Sequence, residues 1–331
     1  MRDTDYAQAI GVIREQEKKI LGAETLLLAI ESTGVSDALS VLGRGSYDFA
    51  GLENAEDYPA VLDTALYDLY AEMYKLSPEP LVADIPRAKY EYHNLKTALK
   101  AFYAGMDGGT AYISAAKTDA AALRAAIGSW DFKGIPEHLA KACEKVKVTY
   151  EQSQDPQKLD TVLDSEMFSY MLSLCEQLNS EFVTGYVRTW IDFYNLKTFM
   201  RVKDRKEGVR YLKSVLMDNG FVSHELFVRA IDQSVDAMNA KYYYQYFGGV
   251  FKKFADRYEA DKNFSSLEKY ADEYLLEMIK QSRYIAFGPA PLFCYILTRE
   301  NEMRQIRIIM TCKINAINQD VAKERLRDFN V

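Results

Sequence analysis

Residues 91–99 read Glu91-Tyr92-His93-Asn94-Leu95-Lys96-Thr97-Ala98-Leu99, and the tetrapeptide Asn-Leu-Lys-Thr inside them returns at Asn195 to Thr198, 101 residues later. A looser third copy, Gln305-Ile306-Arg307, follows after another 110 residues. With Leu95, Leu196 and Ile306 as position zero, positions −3, 0, +3 and +4 are apolar each time: Tyr92, Leu95, Ala98 and Leu99; Phe193, Leu196, Phe199 and Met200; Met303, Ile306, Ile309 and Met310. That spacing is the one-sided stripe of an amphipathic helix, in the same phase in all three copies. The polar positions repeat as well. Position −4 is acidic (Glu91, Asp192, Glu302), −1 is an amide (Asn94, Asn195, Gln305) and +1 is basic (Lys96, Lys197, Arg307).

A second helix precedes each copy. From Leu62 the apolar series runs Leu62, Ala65, Leu66, Leu69, Tyr70, Met73 and Tyr74, and from Leu267 the same offsets give Leu267, Tyr270, Ala271, Tyr274, Leu275, Met278 and Ile279. The series from Leu159 misses once, at Glu166. Each carries an acid at its +1 position: Asp63, Asp160 and Glu268. The repeating object is therefore a helix pair, and a period near 100 residues is that of a small domain. The expectation is an all-α fold of three related units, residues 1–105, 106–205 and 206–331. Further helices are expected over Tyr6 to Ile30, Ala111 to Ile127, Ile135 to Val148 and Val209 to Asn239, with strand signals almost absent. For the first motif helix Asp84 reads as a cap, Pro86 as a first-turn proline and Gly105 as the stop, with Gly105-Met106-Asp107-Gly108-Gly109 forming the turn after it.

The acid at −4 and the base at +1 stand five residues apart, about 140° around a helix, so they flank opposite edges of the stripe. Three copies about an axis would set each acid beside its neighbour's base, giving a ring of ion pairs. Solvated shoulders of ordinary amphipathic helices are the equal alternative.

Composition narrows the function. With 48 acidic against 41 basic residues the formal charge is −7, against a nucleic-acid backbone as main partner. Cys143, Cys175, Cys294 and Cys312 lack metal or disulfide spacing and read as buried small hydrophobes. His93, His138 and His224 are far apart in sequence, so no metal site is expected. There is no GxxxxGK[ST] loop, and Gly43-Arg44-Gly45 lacks the further glycine of a dinucleotide loop, so neither nucleotide nor other cofactor is expected. The start, MRDTDYAQAIGVIREQEKK, is charged throughout and reads as no secretory leader, which predicts a cytoplasmic chain. The apolar run Ile285 to Leu297 is interrupted by Gly288, Pro289 and Pro291 and falls short of the roughly 20 residues of a membrane span. Tyr242, Tyr243, Tyr244, Tyr246 and Phe247, followed by two glycines, offer either gap-filling rings or a partner surface.

Taken together, the opening Tyr6-Ala7-Gln8-Ala9 and Ile13-Arg14-Glu15-Gln16-Glu17, the two Asn-Leu-Lys copies, and the closing Glu302, Arg304, Ile306 and Arg307 resemble the C subunit of bacterial and archaeal V-type (A-type) ATPases, the counterpart of the eukaryotic d subunit. The resemblance covers essentially the whole chain. It implies a funnel of three similar helical domains about a pseudo-threefold axis. Its base would rest on the cytoplasmic face of the membrane proteolipid ring and its socket would receive the D and F subunits of the central stalk, so that the protein transmits rotation for coupled ion transport (H+ or Na+) without catalysing a reaction. A free-standing helical-repeat scaffold for unrelated partners is the competing reading. A helical enzyme using Glu91 and Asp192 has little to support it.

Overall fold

A computed structural model describes residues 2–106, 109, 111–261 and 263–327, and among them every regular element is a helix. In chain order these are α1 (Ala7–Glu17), α2 (Ala23–Glu31), α3 (Val35–Leu42), α4 (Tyr58–Leu76), α5 (Leu81–Ala104), α6 (Ala120–Ser129), α7 (Glu137–Ser153), α8 (Pro156–Leu178), α9 (Glu181–Asp204), α10 (Val209–Val215), α11 (His224–Val228), α12 (Val235–Tyr242), α13 (Gly248–Asp261), α14 (Ser265–Gln281), α15 (Ala290–Ile314) and α16 (Gln319–Arg325). Short 3-10 turns lie at Asp3–Tyr6, Ala55–Asp57 and Ser282–Tyr284. The three motif copies fall on α5, α9 and α15, and the three preceding series on α4, α8 and α14, as the periodicity predicts.

The chain forms two compact units, residues 1–183 with 282–331, and residues 184–281. In the first, α5 packs chiefly along α8, with α7 on the same partner, while α15 threads among α1, α2, α3, α4 and α5. That crowding explains the apolar run ahead of the third motif. Ala290 through Leu297 are all buried, because the first two turns of α15 meet protein on every side. Among the described residues no helix is long and apolar enough to cross a membrane. In the second unit α12 packs on α13 and α13 on α14, around a core of Phe227, Tyr242, Phe247, Phe251 and Phe254.

Several helix boundaries differ from the sequence expectation. The run Tyr6 to Ile30 breaks between Lys18 and Gly22. Residues 111–119 and 216–223 are connecting backbone, so α6 starts at Ala120, and Val209 to Asn239 splits into three short helices. α5 begins at Leu81, which puts Asp84 in its first turn and Pro86 in its interior. Asp84 does not cap the helix; its carboxylate accepts from the Tyr74 hydroxyl. Gly105 does stop the helix, in the left-handed region at φ 64° that suits glycine. Of the expected turn, Asp107 and Gly108 lie outside the described residues. All four cysteines are buried free thiols.

Candidate functional site: three carboxylate grips

Glu91 and Asn94 are one helical turn apart on the same side of α5, and both reach the connecting backbone that precedes α6. Asn94 makes a two-bond amide clasp: Oδ1 accepts from the Ile113 N–H at 2.8 Å and Nδ2 donates to the Ile113 carbonyl at 2.9 Å. Glu91 accepts from the N–H groups of Lys117 and Thr118, the latter at 3.1 Å. Asp119, next in line, is the N-cap of α6, accepting from Ala122 N–H. α9 does the same with the backbone before α11. Asn195 clasps Met217 at 2.7 and 2.8 Å, and Asp192 accepts from Phe221 and Val222 N–H at 2.9 and 3.1 Å. The following residue, Ser223, is the N-cap of α11. In both, the first gripped N–H lies the same distance along the chain from the clasped residue. A Cβ on Gly220 would overlap the Asp192 carboxylate, so glycine is what lets the loop approach.

The third grip is built from the other end of the chain. Glu302 on α15 accepts from the Leu21 N–H at 2.7 Å, and Leu21 directly precedes Gly22, the N-cap of α2. The N-terminal helices thus stand to α15 as α6 stands to α5. Glu302 also accepts from the Tyr47 hydroxyl at 2.7 Å and pairs with Arg299 at 3.0 Å. Tyr246 serves Asp192 in the same way, at 2.8 Å. Gln305 does not clasp a loop: its Nε2 donates to Asn301 Oδ1 at 3.2 Å and its Oε1 accepts from the Arg327 N–H at 3.3 Å. By the spacing of the other two grips, the clasped residue would be Gln16. Gln16 lies inside α1, where helical bonding already takes up its backbone. Burial raises the pKa of both Asp192 and Glu302 above the ordinary carboxylate value, outweighing the opposing hydrogen bonds and the positive charges of Arg188 near Asp192 and Arg299 beside Glu302.

Residues 9–325 match the family described as ATP synthase (C/AC39) subunit. The chain belongs to this family. It is 22% identical to the C subunit of the V-type sodium ATPase of Enterococcus hirae, over 98% of both chains. It is also 22% identical to the C subunit of the A-type ATP synthase of Methanocaldococcus jannaschii, over 97% of this chain and 86% of that one. The relatives are thus named as subunits of V-type and A-type ATPase complexes.

In this C/AC39 protein the motif charges pair otherwise than in the expected ring. Glu91, Asp192 and Glu302 are 6%, 1% and 0% exposed. A carboxylate so withdrawn from water needs donors at close range, and the N–H groups before α6, α11 and α2 supply them. The bases turn instead to acids on the next first-helix series. Lys96 meets Asp164 at 2.9 Å and Asp160 at 3.6 Å, Lys100 meets Asp160 at 2.8 Å, and Arg307 meets Asp63 at 2.5 Å. In the second copy Arg201, at the position equivalent to Lys100, meets Glu268 at 2.5 Å, while Lys197 is half-buried on α9. Each motif helix is thereby tied to the opening helix of the following copy, and the third copy to the first. Sequence reasoning missed Arg299, Tyr47, Tyr246 and Gly220. Of these only Tyr246 left a trace, inside the tyrosine-rich stretch.

The histidines have structural surroundings. His93 and His224 contact the carbonyls of Ala111 and Met217 at 3.0 and 2.8 Å. His138 stacks on Tyr170 at 3.7 Å between ring centres, and burial pushes its pKa down to about 4. Among the described residues no group of three or more His, Cys, Asp or Glu side chains is arranged to hold a metal.

Proposed function

We propose that the chain is the rotor adaptor of its V/A-type ATPase, joining the central stalk of D and F subunits to the membrane proteolipid ring and carrying torque between ATP chemistry and ion transport. The observation that supports this reading is the cyclic bonding: first copy to second, second to third, and third back to first, through ion pairs and buried grips. A part that turns under load needs such closure, since a chain of units joined only in series yields at its weakest joint. The reading includes three units, residues 1–105, 106–205 and 206–331, about a pseudo-threefold axis as a funnel, peripheral at the cytoplasmic face and held there by the ring.

Deletion of the chain from the assembled enzyme tests it. ATP hydrolysis by the catalytic head is expected to persist while coupled ion pumping disappears. The isolated protein is expected to bind the D and F stalk and the proteolipid ring at separate surfaces, each burying at least about 1,000 Å². Fully coupled pumping in membranes shown to lack the chain would overturn the assignment.

A further inference from the structure

The opening helix of the second and third copies is covered along its length by another helix of this chain: α7 lies on α8, and α13 lies on α14. The α7 cover meets α8 through basic and aromatic chemistry. Lys145 donates to Glu166 at 2.6 Å, and His138, seven residues earlier on the same face, stacks on Tyr170. Between them Leu139, Ala142 and Cys143 are buried. α4 holds the equivalent place in the first copy, but the segment before it is short of a helix. Where Tyr246 leads at once into the 14-residue α13, Tyr47 is followed by irregular chain and one 3-10 turn before α4 begins. The eight-residue α3 packs instead on α2 and α15.

What remains along α4 is an open cleft of about 520 Å³. Leu69 and Tyr295 give it an apolar floor, and Asp48, Asp68 and Glu72 stand around it. Arg299 also lines it but is held by Glu302 at 3.0 Å. Glu72 accepts from the Gln16 amide, and no cation pairs with any of the three carboxylates among the described residues. Like the α8 surface around Glu166, the cleft combines an apolar floor with carboxylate, but it lacks the helix and the lysine that cover Glu166 there.

We propose that this cleft seats a helix from another protein chain, three to four turns long, with an apolar stripe flanked by basic residues seven apart, covering α4 as α7 covers α8. The charge pattern fixes the sign of the partner: an acidic helix would bring carboxylates against Asp48, Asp68 and Glu72, and an uncharged one would leave them uncompensated. The proposal concerns α4 alone and holds or fails separately from the rotor assignment.

The test is calorimetric titration of the full-length chain with two synthetic 17-residue helical peptides sharing one Leu/Ala stripe, one with lysines at i and i+7, the other with glutamates there. Saturable one-to-one binding of the lysine peptide is expected, weakened at least about tenfold for the glutamate peptide. A similar loss is expected in the Asp68→Lys/Glu72→Gln chain. Thr64→Trp, which fills the cleft without changing charge, should also block binding, and thermal melts confirm that each variant is folded. Equal binding of both peptides, absence of binding, or binding unaffected by these substitutions would overturn the proposal. So would lysine amide competing at the peptide's own concentration, which would make the cleft a small-cation site.

Discussion

The first two grips and the third perform one task with different reach. Glu91 and Asp192 seize backbone 26 to 30 residues further along the chain, whereas Glu302 reaches back 281 residues to Leu21. In an unfolded chain, closing the longer loop costs about 2 kcal/mol more. The third grip is correspondingly reinforced. It has lost the amide clasp but gained Arg299, a charge partner beside a fully buried carboxylate. Local closure is held by hydrogen bonds from neutral donors, and closure between the chain ends by a cluster that includes a full positive charge.

The most damaging way to probe that contrast is Glu302→Ala. It strands Arg299, which is itself 7% exposed, and orphans the Leu21 N–H and the Tyr47 hydroxyl. A loss of about 3 to 5 kcal/mol in urea unfolding is expected, against about 1 to 3 kcal/mol for Glu91→Ala, where no charge is stranded. Equal losses would show that the charge adds nothing.

Next in size is the amide. Asn195→Ala removes two bonds from a fully buried site and leaves the Met217 N–H unpaired, while the Met217 carbonyl keeps its contact with His224, so about 1 to 3 kcal/mol should be lost in the same unfolding measurement. Gln305→Ala, whose bonds at 3.2 and 3.3 Å are longer, should cost less than half of that. A larger loss for Gln305 would mean that the third copy keeps its clasp in another form.

A smaller effect separates the α7–α8 contact from the rest by pH. His138 has a folded pKa near 4 against an ordinary 6.5, so between those values the unfolded chain binds more protons. Stability is expected to be full above pH 6.5 and to decline as pH falls toward 4, by about 1 to 2 kcal/mol after allowance for partial exposure. His138→Phe should keep the stacking on Tyr170 and flatten that slope in melts recorded from pH 7 to 4.

The smallest expected effect lies in the ion pairs that join successive copies. Arg307 and Asp63 are 42% and 51% exposed, and Arg201 and Glu268 are 55% and 41% exposed. Removing either pair should change stability by about 0 to 1 kcal/mol, less at high salt. A loss above about 2 kcal/mol at high salt would show that these contacts carry far more of the closure than their exposure permits.

The helical phase of Leu95, Leu196 and Ile306 was legible because burial on one face imposes a period that side chains alone report, and all three are fully buried. The acids at −4 were legible as positions but not as contacts. Their partners are backbone N–H groups, which every residue but proline carries and no sequence pattern marks. The acids Asp63 and Asp160 were visible in register, yet pairing them with Arg307 and with Lys96 and Lys100 required knowing that each motif helix packs on the next copy's opening helix. The helix start at Ala111 was set too early, and the run from Val209 was read through a break after Val215, for a related reason. The apolar period continues into residues 113 and 217, but their backbone is claimed by Asn94 and Asn195. Arg299 stayed hidden because a lone arginine one turn before an acid on a helix usually signifies nothing more than a surface pair.

The Glu302 to Leu21 bond also sets a timetable. During synthesis at about 5 to 20 residues per second, Leu21 is made roughly 15 to 60 seconds before Glu302. For that interval the N-terminal helices lack the carboxylate, the arginine and the whole of α15 that bury them. α3 covers part of α2, but the rest of its apolar face, to which Leu26, Ala29 and Ile30 belong, waits for α15 and α16. A message truncated late in its reading frame would therefore yield a chain with most of its length intact and its beginning exposed, a product that chaperones and proteases are equipped to recognise.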